Sequence, residues 1–192
     1  MINISKPILQ KALIAGFFSA FTIGVLTVLT YKSTLGYFIA GSFGSSMVLL
    51  FGFPESPFAQ PKNVFFGHLI TALVGVIFVH FIPLPIYINI AAAVGIGVFL
   101  MILLNVVHPP AGGNPIMVII GSASYDYLIN PIIFGCIIIL LLAIIVNKYL
   151  LKFLVQKREF YFFLKSQVHL MKIFHIHHKK NWLKNLFLFS LY

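Results

Sequence analysis

The chain has 192 residues, of which 60% are hydrophobic and only 8% are charged. A soluble domain carries about 25% charged residues, so this composition excludes one and predicts an integral membrane protein. Of the 13 lysines and arginines, nine lie between Lys148 and Lys184, which places most of the net charge of +10 in a C-terminal tail. The single cysteine, Cys136, excludes an intramolecular disulfide.

Six apolar segments follow one another before residue 150. The first, third, fourth and last have the length and composition of membrane-spanning helices, because about 20 apolar residues cross a bilayer. The second is interrupted at Gly41-Ser42-Phe43-Gly44-Ser45-Ser46, and the fifth is short and follows a stretch rich in proline and glycine. The segments occupy residues 12–31, 35–53, 64–82, 86–107, 116–122 and 132–146.

Basic residues flank both ends of this hydrophobic region. Lys6 and Lys11 precede the first segment, and the basic tail follows the last. Such residues prefer the cytoplasmic side, so we expect both termini in the cytoplasm and an even number of crossings. We also expect a location in a bacterial inner (plasma) membrane. Four crossings with two re-entrant segments satisfy this rule, and so do six crossings with two broken helices.

An internal repeat is visible in the middle segments. Residues 44–52 align with residues 113–121 at a constant offset of 69, and each copy lies between a long apolar run and a polar loop. The pattern predicts a transmembrane domain of residues 1–150 with two related three-segment units, residues 12–82 and 86–148. The predicted fold is an all-α integral membrane protein, a polytopic helical bundle with broken or re-entrant middle helices and four to six crossings. The units form an inverted repeat if every segment crosses, and are parallel if the middle helices are re-entrant.

The most irregular stretch of the chain runs from Asn105 through His108-Pro109-Pro110 to Asn114-Pro115. Proline cannot donate to a helix ladder, and glycine lets the backbone turn and approach other groups closely. Broken backbone at membrane depth is tolerated only where it is buried in protein or lines a cavity. A ligand or ion site is therefore the first hypothesis for this stretch.

Two helix starts are the candidate anion-binding elements. Unpaired N–H groups and the positive end of the helix dipole would attract an anion at Gly44-Ser45-Ser46 and at Gly112-Gly113-Asn114. The alternative is that these hydroxyl and amide groups only cap the helices. His108 either stabilises the anion or couples proton movement to transport, or it only donates to a carbonyl freed by the prolines. Asn105 would share a face with His108 if the preceding helix extends that far.

Two sequence blocks resemble the HPP family of integral membrane proteins. The first runs from Gly41-Ser42-Phe43-Gly44-Ser45-Ser46 through Phe51-Gly52-Phe53-Pro54-Glu55-Ser56-Pro57-Phe58-Ala59-Gln60-Pro61-Lys62-Asn63 to Gly67-His68, and the second is His108-Pro109-Pro110-Ala111-Gly112-Gly113. The resemblance covers roughly residues 12–146 and adds His68 to the candidates. Members are usually described with four transmembrane helices, and plant members are linked to nitrite transport into chloroplasts. The resemblance implies a small-anion transporter with nitrite as the leading substrate.

The first hypothesis is thus a transporter or channel for a small inorganic anion in the lipid bilayer. We expect no enzymatic activity, cofactor or metal, because the sequence has no nucleophile–base pair and no nucleotide motif. The cavity lies within one chain or at the interface of a homo-oligomer. The expected substrate-binding residues are Gly44, Ser45, Ser46, His68, Asn105, His108, Pro109, Pro110, Gly112, Gly113 and Asn114.

The basic tail, residues 151–192, supports the rival hypothesis. Its basic and aromatic residues are typical of a helix on the membrane surface that contacts anionic lipid headgroups, and no motif indicates nucleic-acid binding. Its histidines lack the cysteine or carboxylate partners that a metal site would use. Under this alternative, the chain is a non-transporting membrane scaffold or sensor that acts through the tail.

Overall fold

The computed structural model describes residues 6–34 and 36–150, so the predicted tail lies outside the described residues. Regular structure in the described part is helical, as predicted. In chain order the α-helices are α1 (Lys6–Lys32), α2 (Phe43–Met47), α3 (Pro61–Phe81), α4 (Ile86–Leu103), α5 (Asn114–Ile120) and α6 (Gly135–Ile145). Four helical stretches of this part are long and apolar enough to cross a membrane: Ile8–Lys32, Pro61–Phe81, Ile86–Leu103 and Leu128–Lys148.

Short stretches of other helix types extend or precede these elements. A π-helix, Val48–Gly52, continues α2, and two more, Leu128–Phe134 and Val146–Leu150, flank α6. Single π-helical turns inside α-helices are frequent at functional sites. A 3₁₀ turn, Pro57–Ala59, precedes α3.

The middle segment of the first unit is half extended and half helical. Residues 36–40 have no regular structure, and the Phe38 N–H donates to Thr30 Oγ1 on α1 over 2.9 Å. The helix then starts with the Phe43 ring 5.1 Å from the His68 ring of α3. Near its end, the Leu50 carbonyl accepts a 2.8 Å hydrogen bond from Asn147 Nδ2. The helix of residues 43–52 therefore leads from the level of His68 to the C-terminal end of the last long helix.

The middle segment of the second unit is broken as well. After α4 the chain turns at Asn105, forms the 3₁₀ turn Pro109–Gly113 and enters α5. Helix α5 lies against α3, where a Cβ atom on Gly75 would be 2.9 Å from Val118 Cβ. Glycine at this position allows the two helices to approach closely. Both middle segments are thus interrupted, and the structure agrees with the predicted polytopic helical fold with broken or re-entrant middle helices.

Apolar side chains form two buried clusters in the described part of the chain. The larger lies between α1, the helix of residues 43–52, α3 and α6, and its buried members include Leu26, Phe43, Phe51, Ile132 and Ile139. The smaller joins α3, α4 and α5 through Val74, Phe78, Ala93 and Ile119. Large apolar side chains on the outside, such as Phe17, Phe99 and Ile102, are more than half exposed. An apolar exterior suits contact with lipid and agrees with the membrane assignment.

Candidate functional site

The two broken segments meet at one buried polar cluster on α3. Helix α3 contributes His68 and Thr71, and the other members come from the start of α2, the irregular stretch after α4 and the first residue of α5. All six side chains are buried, and five of them are fully inaccessible to solvent. The members of this polar cluster are Ser42, Ser46, His68, Thr71, His108 and Asn114.

The Ser46 hydroxyl lies between two imidazole rings. Ser46 Oγ is 3.0 Å from His68 Nε2 and 2.9 Å from His108 Nε2. It also lies 3.1 Å from the Ser42 carbonyl, one helical turn earlier. The ring centroids of His68 and His108 are 4.9 Å apart. A single hydroxyl therefore bridges histidines from the two repeat units.

Asn114 holds the opposite side of the His68 ring. Its Nδ2 donates to the His68 carbonyl over 3.1 Å and lies 3.0 Å from both His68 Nδ1 and Thr71 Oγ1. Its Oδ1 accepts from Ser42 Oγ over 2.6 Å. Because a carbonyl only accepts, these contacts orient the amide with its nitrogen toward His68. We infer that one amide proton faces His68 Nδ1, which makes Nδ1 an acceptor and puts the ring proton on Nε2, facing Ser46.

His108 has the opposite tautomer. Its Nδ1 lies 2.7 Å from the Phe58 carbonyl in the 3₁₀ turn before α3, so Nδ1 carries the proton and donates it. His108 Nε2 is therefore an acceptor, and it shares the single Ser46 hydroxyl proton with the Ser42 carbonyl. When that proton faces His108, the hydrogen bonds run in one direction, from His68 Nε2–H through Ser46 Oγ–H to His108, and from His108 Nδ1–H to Phe58.

A glycine on α3 makes room for this arrangement. A Cβ atom on Gly67 would lie 2.9 Å from His108 Cβ and 3.0 Å from the Val106 carbonyl oxygen. Real Cβ atoms do not approach a neighbour so closely, so a side chain at this position would push the irregular stretch off α3. Gly67 thus allows His108 to reach the level of His68.

Four of the residues predicted from the sequence belong to the cluster: Ser46, His68, His108 and Asn114. Ser45 is exposed, and its hydroxyl donates to the Ser42 carbonyl instead. Gly44 is exposed as well. Pro109, Pro110, Gly112 and Gly113 form the 3₁₀ turn that leads into α5.

Asn105 was expected to share a helical face with His108 if the preceding helix extended that far, but the helix ends before Asn105. Helix α4 ends at Leu103, and Asn105 lies in a left-handed turn with a φ of 53°. Asparagine tolerates this conformation better than most residues, which accounts for its presence there. A regular three-residue helical spacing to His108 is therefore absent.

The first backbone N–H group of α5 already has a hydrogen-bond acceptor in the preceding turn. The Asn114 N–H donates to the Ala111 carbonyl, and the Ala111 N–H donates to the His108 carbonyl over 2.9 Å. Side chains, rather than these N–H groups, supply the polar atoms that converge on the cluster. Within the described residues, no group of three or more histidine, cysteine or acidic side chains could hold a metal ion.

Three groups that form or contact the polar cluster were not predicted from the sequence. Ser42 belongs to the interrupted motif, but it was not among the candidate binding residues. Thr71 lies three residues after His68 on a helix, a spacing that places both on one face and could have suggested it. The Phe58 carbonyl carries no side-chain signal, so only the folded chain reveals its contact with His108.

Comparisons with known proteins identify the family. A family model described as the transmembrane region of HPP matches residues 4–155. Two transmembrane proteins of Dictyostelium discoideum are 34% and 33% identical to this chain over 135 residues. The alignments cover 65% of this chain but only 47% and 43% of those proteins, so the chain spans less than half of either relative. No solved structure gives a significant match. This chain belongs to the HPP family of integral membrane proteins.

Proposed function

We propose that the protein is a transporter or channel for a small inorganic anion, with nitrite as the leading substrate. The observation that carries this proposal is the buried polar cluster on which two broken helices converge. Membrane transporters place substrate sites where interrupted helices meet near the middle of the bilayer. The choice of nitrite rests on the family resemblance.

The depth of the cluster supports this proposal. His68 lies seven residues after Pro61, the first residue of α3, and therefore about 10 Å along the helix. The hydrocarbon core of a bilayer is about 30 Å thick, so a span that begins at Pro61 would carry the cluster well inside it. Polar and ionisable groups at this depth are costly, which makes them functional candidates.

The chemistry of the cluster suits a small oxyanion. Two serine hydroxyls, the Asn114 amide and the imidazole N–H groups are hydrogen-bond donors, and nitrite presents acceptors on both oxygens and on nitrogen. In the observed state these donors bond to one another, so an entering anion would replace bonds within the cluster. Neutral donors hold an anion weakly enough to release it on the other side.

We further propose that the two units form an inverted repeat with six crossings. The helix of residues 43–52 and α5 start at the polar cluster and extend toward opposite ends of α3, because Leu50 lines a cavity with Pro61, the first residue of α3, while Ile119 packs with Phe78 near its end. A left-handed residue also occurs at the same place in both units, since Gly36 (φ 106°) and Asn105 (φ 53°) are 69 residues apart. The backbone thus matches at this pair of positions, whereas left-handed Ser122 (φ 45°) is paired by the same offset with Phe53 at φ −139°.

A contact at one end of the bundle supports the same topology. Lys11 Nζ, near the start of α1, lies 3.8 Å from Glu55 Oε1 in the loop after the first broken helix. The first middle segment therefore returns to the side on which α1 begins. By symmetry the second would end on the opposite side, with both termini in the cytoplasm of a plasma membrane.

Reconstitution tests the transport proposal. The full-length protein is inserted into liposomes, and nitrite entry is followed with an internal nitrite-sensitive reporter. We expect nitrite entry to exceed that of protein-free liposomes prepared in parallel. These liposomes supply the background, because nitrous acid crosses lipid unaided. Equal entry with and without protein would rule out nitrite as a substrate, and the same result with nitrate, chloride and other small anions would contradict the transport proposal.

A further inference from the structure

The hydrogen bonds of the polar cluster form a continuous chain across part of the membrane. The chain starts where Asn114 faces His68 Nδ1, passes through Ser46 and His108, and ends at the Phe58 carbonyl in the turn before α3. The chain is short, because its links measure 2.7–3.0 Å and the two ring centroids are 4.9 Å apart. It leads from His68 to the turn that precedes the first residue of α3.

We propose that His68 and His108, bridged by the Ser46 hydroxyl, form a proton relay that couples the entry of each anion to the entry of one proton. This inference rests on the transport function proposed above and names the coupling ion. Chains of ionisable side chains within the membrane are a common form of proton pathway in pumps and transporters. A proton held by the two rings also supplies the positive charge that an anion needs in a site with neutral donors.

The tautomers inferred from these hydrogen bonds allow one transfer without prior rotation of the rings. A proton that binds His68 Nδ1 allows His68 Nε2 to release its proton to Ser46 Oγ. Ser46 in turn releases its own hydroxyl proton to His108 Nε2. The charge has then moved from His68 to His108, and Ser46 again holds one proton. His108 then releases its Nδ1 proton to water at the turn that contains Phe58, because the Phe58 carbonyl itself is not basic enough to take it. One proton enters and one leaves, and rotation of the two rings and of the hydroxyl restores the starting tautomers.

Asn114 links this transfer to movement of α5. Its Nδ2 points at His68 Nδ1, the atom that must receive the incoming proton. Protonation there would set two N–H groups against each other, so the amide has to turn away. Because Asn114 is the first residue of α5, its displacement would loosen the contact between α5 and His68 and open the site when it is protonated.

No other charged group competes for this role in the described part of the chain. The groups that contact the two rings are Ser42, Phe43 and Ser46 near the start of α2, Asn114 of α5 and the Phe58 carbonyl. None of them titrates in the neutral range. The two imidazoles are therefore the titratable groups among the described contacts of this cluster.

The driving force for uptake tests the inference on the unmodified protein. Nitrite uptake into liposomes is measured with either an inward proton gradient or a membrane potential set by potassium and valinomycin, and protein-free liposomes supply the background. One proton per nitrite makes transport electroneutral, so we expect the protein-dependent uptake to follow the proton gradient and to ignore the potential. Uptake that follows the potential and ignores the proton gradient would overturn the coupling but leave the transport proposal intact. No protein-dependent flux of any small anion would overturn both.

A variant pair and a spectroscopic measurement sharpen this test. Ser46→Ala removes the bridge, and we expect uptake driven by the proton gradient to fall roughly tenfold, the equivalent of one buried hydrogen bond. Ser19→Ala, which removes a hydroxyl bonded only within α1, should match the wild type. A ¹⁵N NMR spectrum of the histidine-labelled protein in bilayers reports which ring nitrogen of each histidine carries the proton. Variants that each lack one histidine assign the signals. We expect the proton on Nε2 of His68 and on Nδ1 of His108. The opposite tautomers would contradict the relay, whether or not the Ser46 variant folds.

Discussion

Two adjacent serines show how the folded chain selects between similar residues. Ser45 and Ser46 follow one another on α2, and each helical step rotates the side chain by about 100°. Ser46 is therefore fully buried between the two histidines, whereas Ser45 is exposed and bonds to the backbone of its own helix. The aligned repeat pairs Ser45 with Asn114, yet the structure unites Ser46 with Asn114 through His68.

This difference gives a prediction at the scale of one residue. Ser46→Ala leaves His68 Nε2–H without an acceptor in a buried site, which costs about 1–3 kcal/mol. We expect a lower unfolding temperature in detergent and a roughly tenfold loss of anion flux. Ser45→Ala should change neither measurement by more than a small fraction. Equal effects of the two substitutions would contradict the placement of the cluster.

Asn114 offers a second test at the same scale. Asn114→Ala removes the amide that contacts Ser42, His68 and Thr71, and leaves the Ser42 hydroxyl without its acceptor. We expect a loss of stability of about 1–3 kcal/mol and a clear loss of flux. Asn89 is the matched control. It lies near the start of α4, and its amide donates to the Ile82 carbonyl. Asn89→Ala should cost stability while leaving flux per folded molecule unchanged, so a fall in that flux would argue against a specific role for Asn114.

At the scale of elements, close contact between α3 and the irregular stretch depends on Gly67. A Cβ atom there would meet His108 Cβ and the Val106 carbonyl oxygen, and neither is the end of a flexible side chain. Overpacking of this kind costs about 1–3 kcal/mol. We expect Gly67→Ala to lower the unfolding temperature and to abolish most of the anion flux, because His108 is displaced from Ser46.

Gly95 on α4 is the control for this substitution. A Cβ atom on Gly95 meets nothing within 4 Å, and the residue is exposed. Alanine is the better helix former by roughly 0.5–1 kcal/mol, so Gly95→Ala should be neutral or slightly stabilising. If the Gly67→Ala variant has the unfolding temperature and the anion flux of the Gly95→Ala variant, then α3 and the irregular stretch after α4 do not approach each other as closely as described.

For the whole molecule, the number of crossings is the property to test. Six crossings place Lys62 and Ser124 on opposite sides of the membrane, whereas four crossings with re-entrant middle segments place both on the outside. In a Cys136→Ala background, Lys62→Cys and Ser124→Cys are labelled in intact cells with a membrane-impermeant maleimide. We expect labelling of residue 124 from outside and of residue 62 only after permeabilisation. Labelling of both from outside would contradict the inverted repeat.

The role of the tail is also a question for the whole molecule. The last described helix ends at Leu150, so residues 151–192 can be deleted without cutting the helices described above. If the protein is a transporter, flux in liposomes should largely survive this deletion, because the polar cluster lies entirely within residues 42–114. Loss of all flux, with the shortened protein still folded, would favour the rival in which the tail carries the activity.

The sequence by itself determined the membrane class, the helical fold, the broken middle helices and the neighbourhood of the site. Apolar segment length, helix-breaking residues and the repeat at an offset of 69 are local properties, so they can be read along the chain. The tertiary structure decided which polar residues meet, because contact depends on helix rotation and on the close packing that Gly67 and Gly75 permit. It also decided that α4 ends before Asn105 and that the Phe58 carbonyl orients His108. These contacts join residues that are 22 to 72 positions apart, and no pattern along the chain records such pairings.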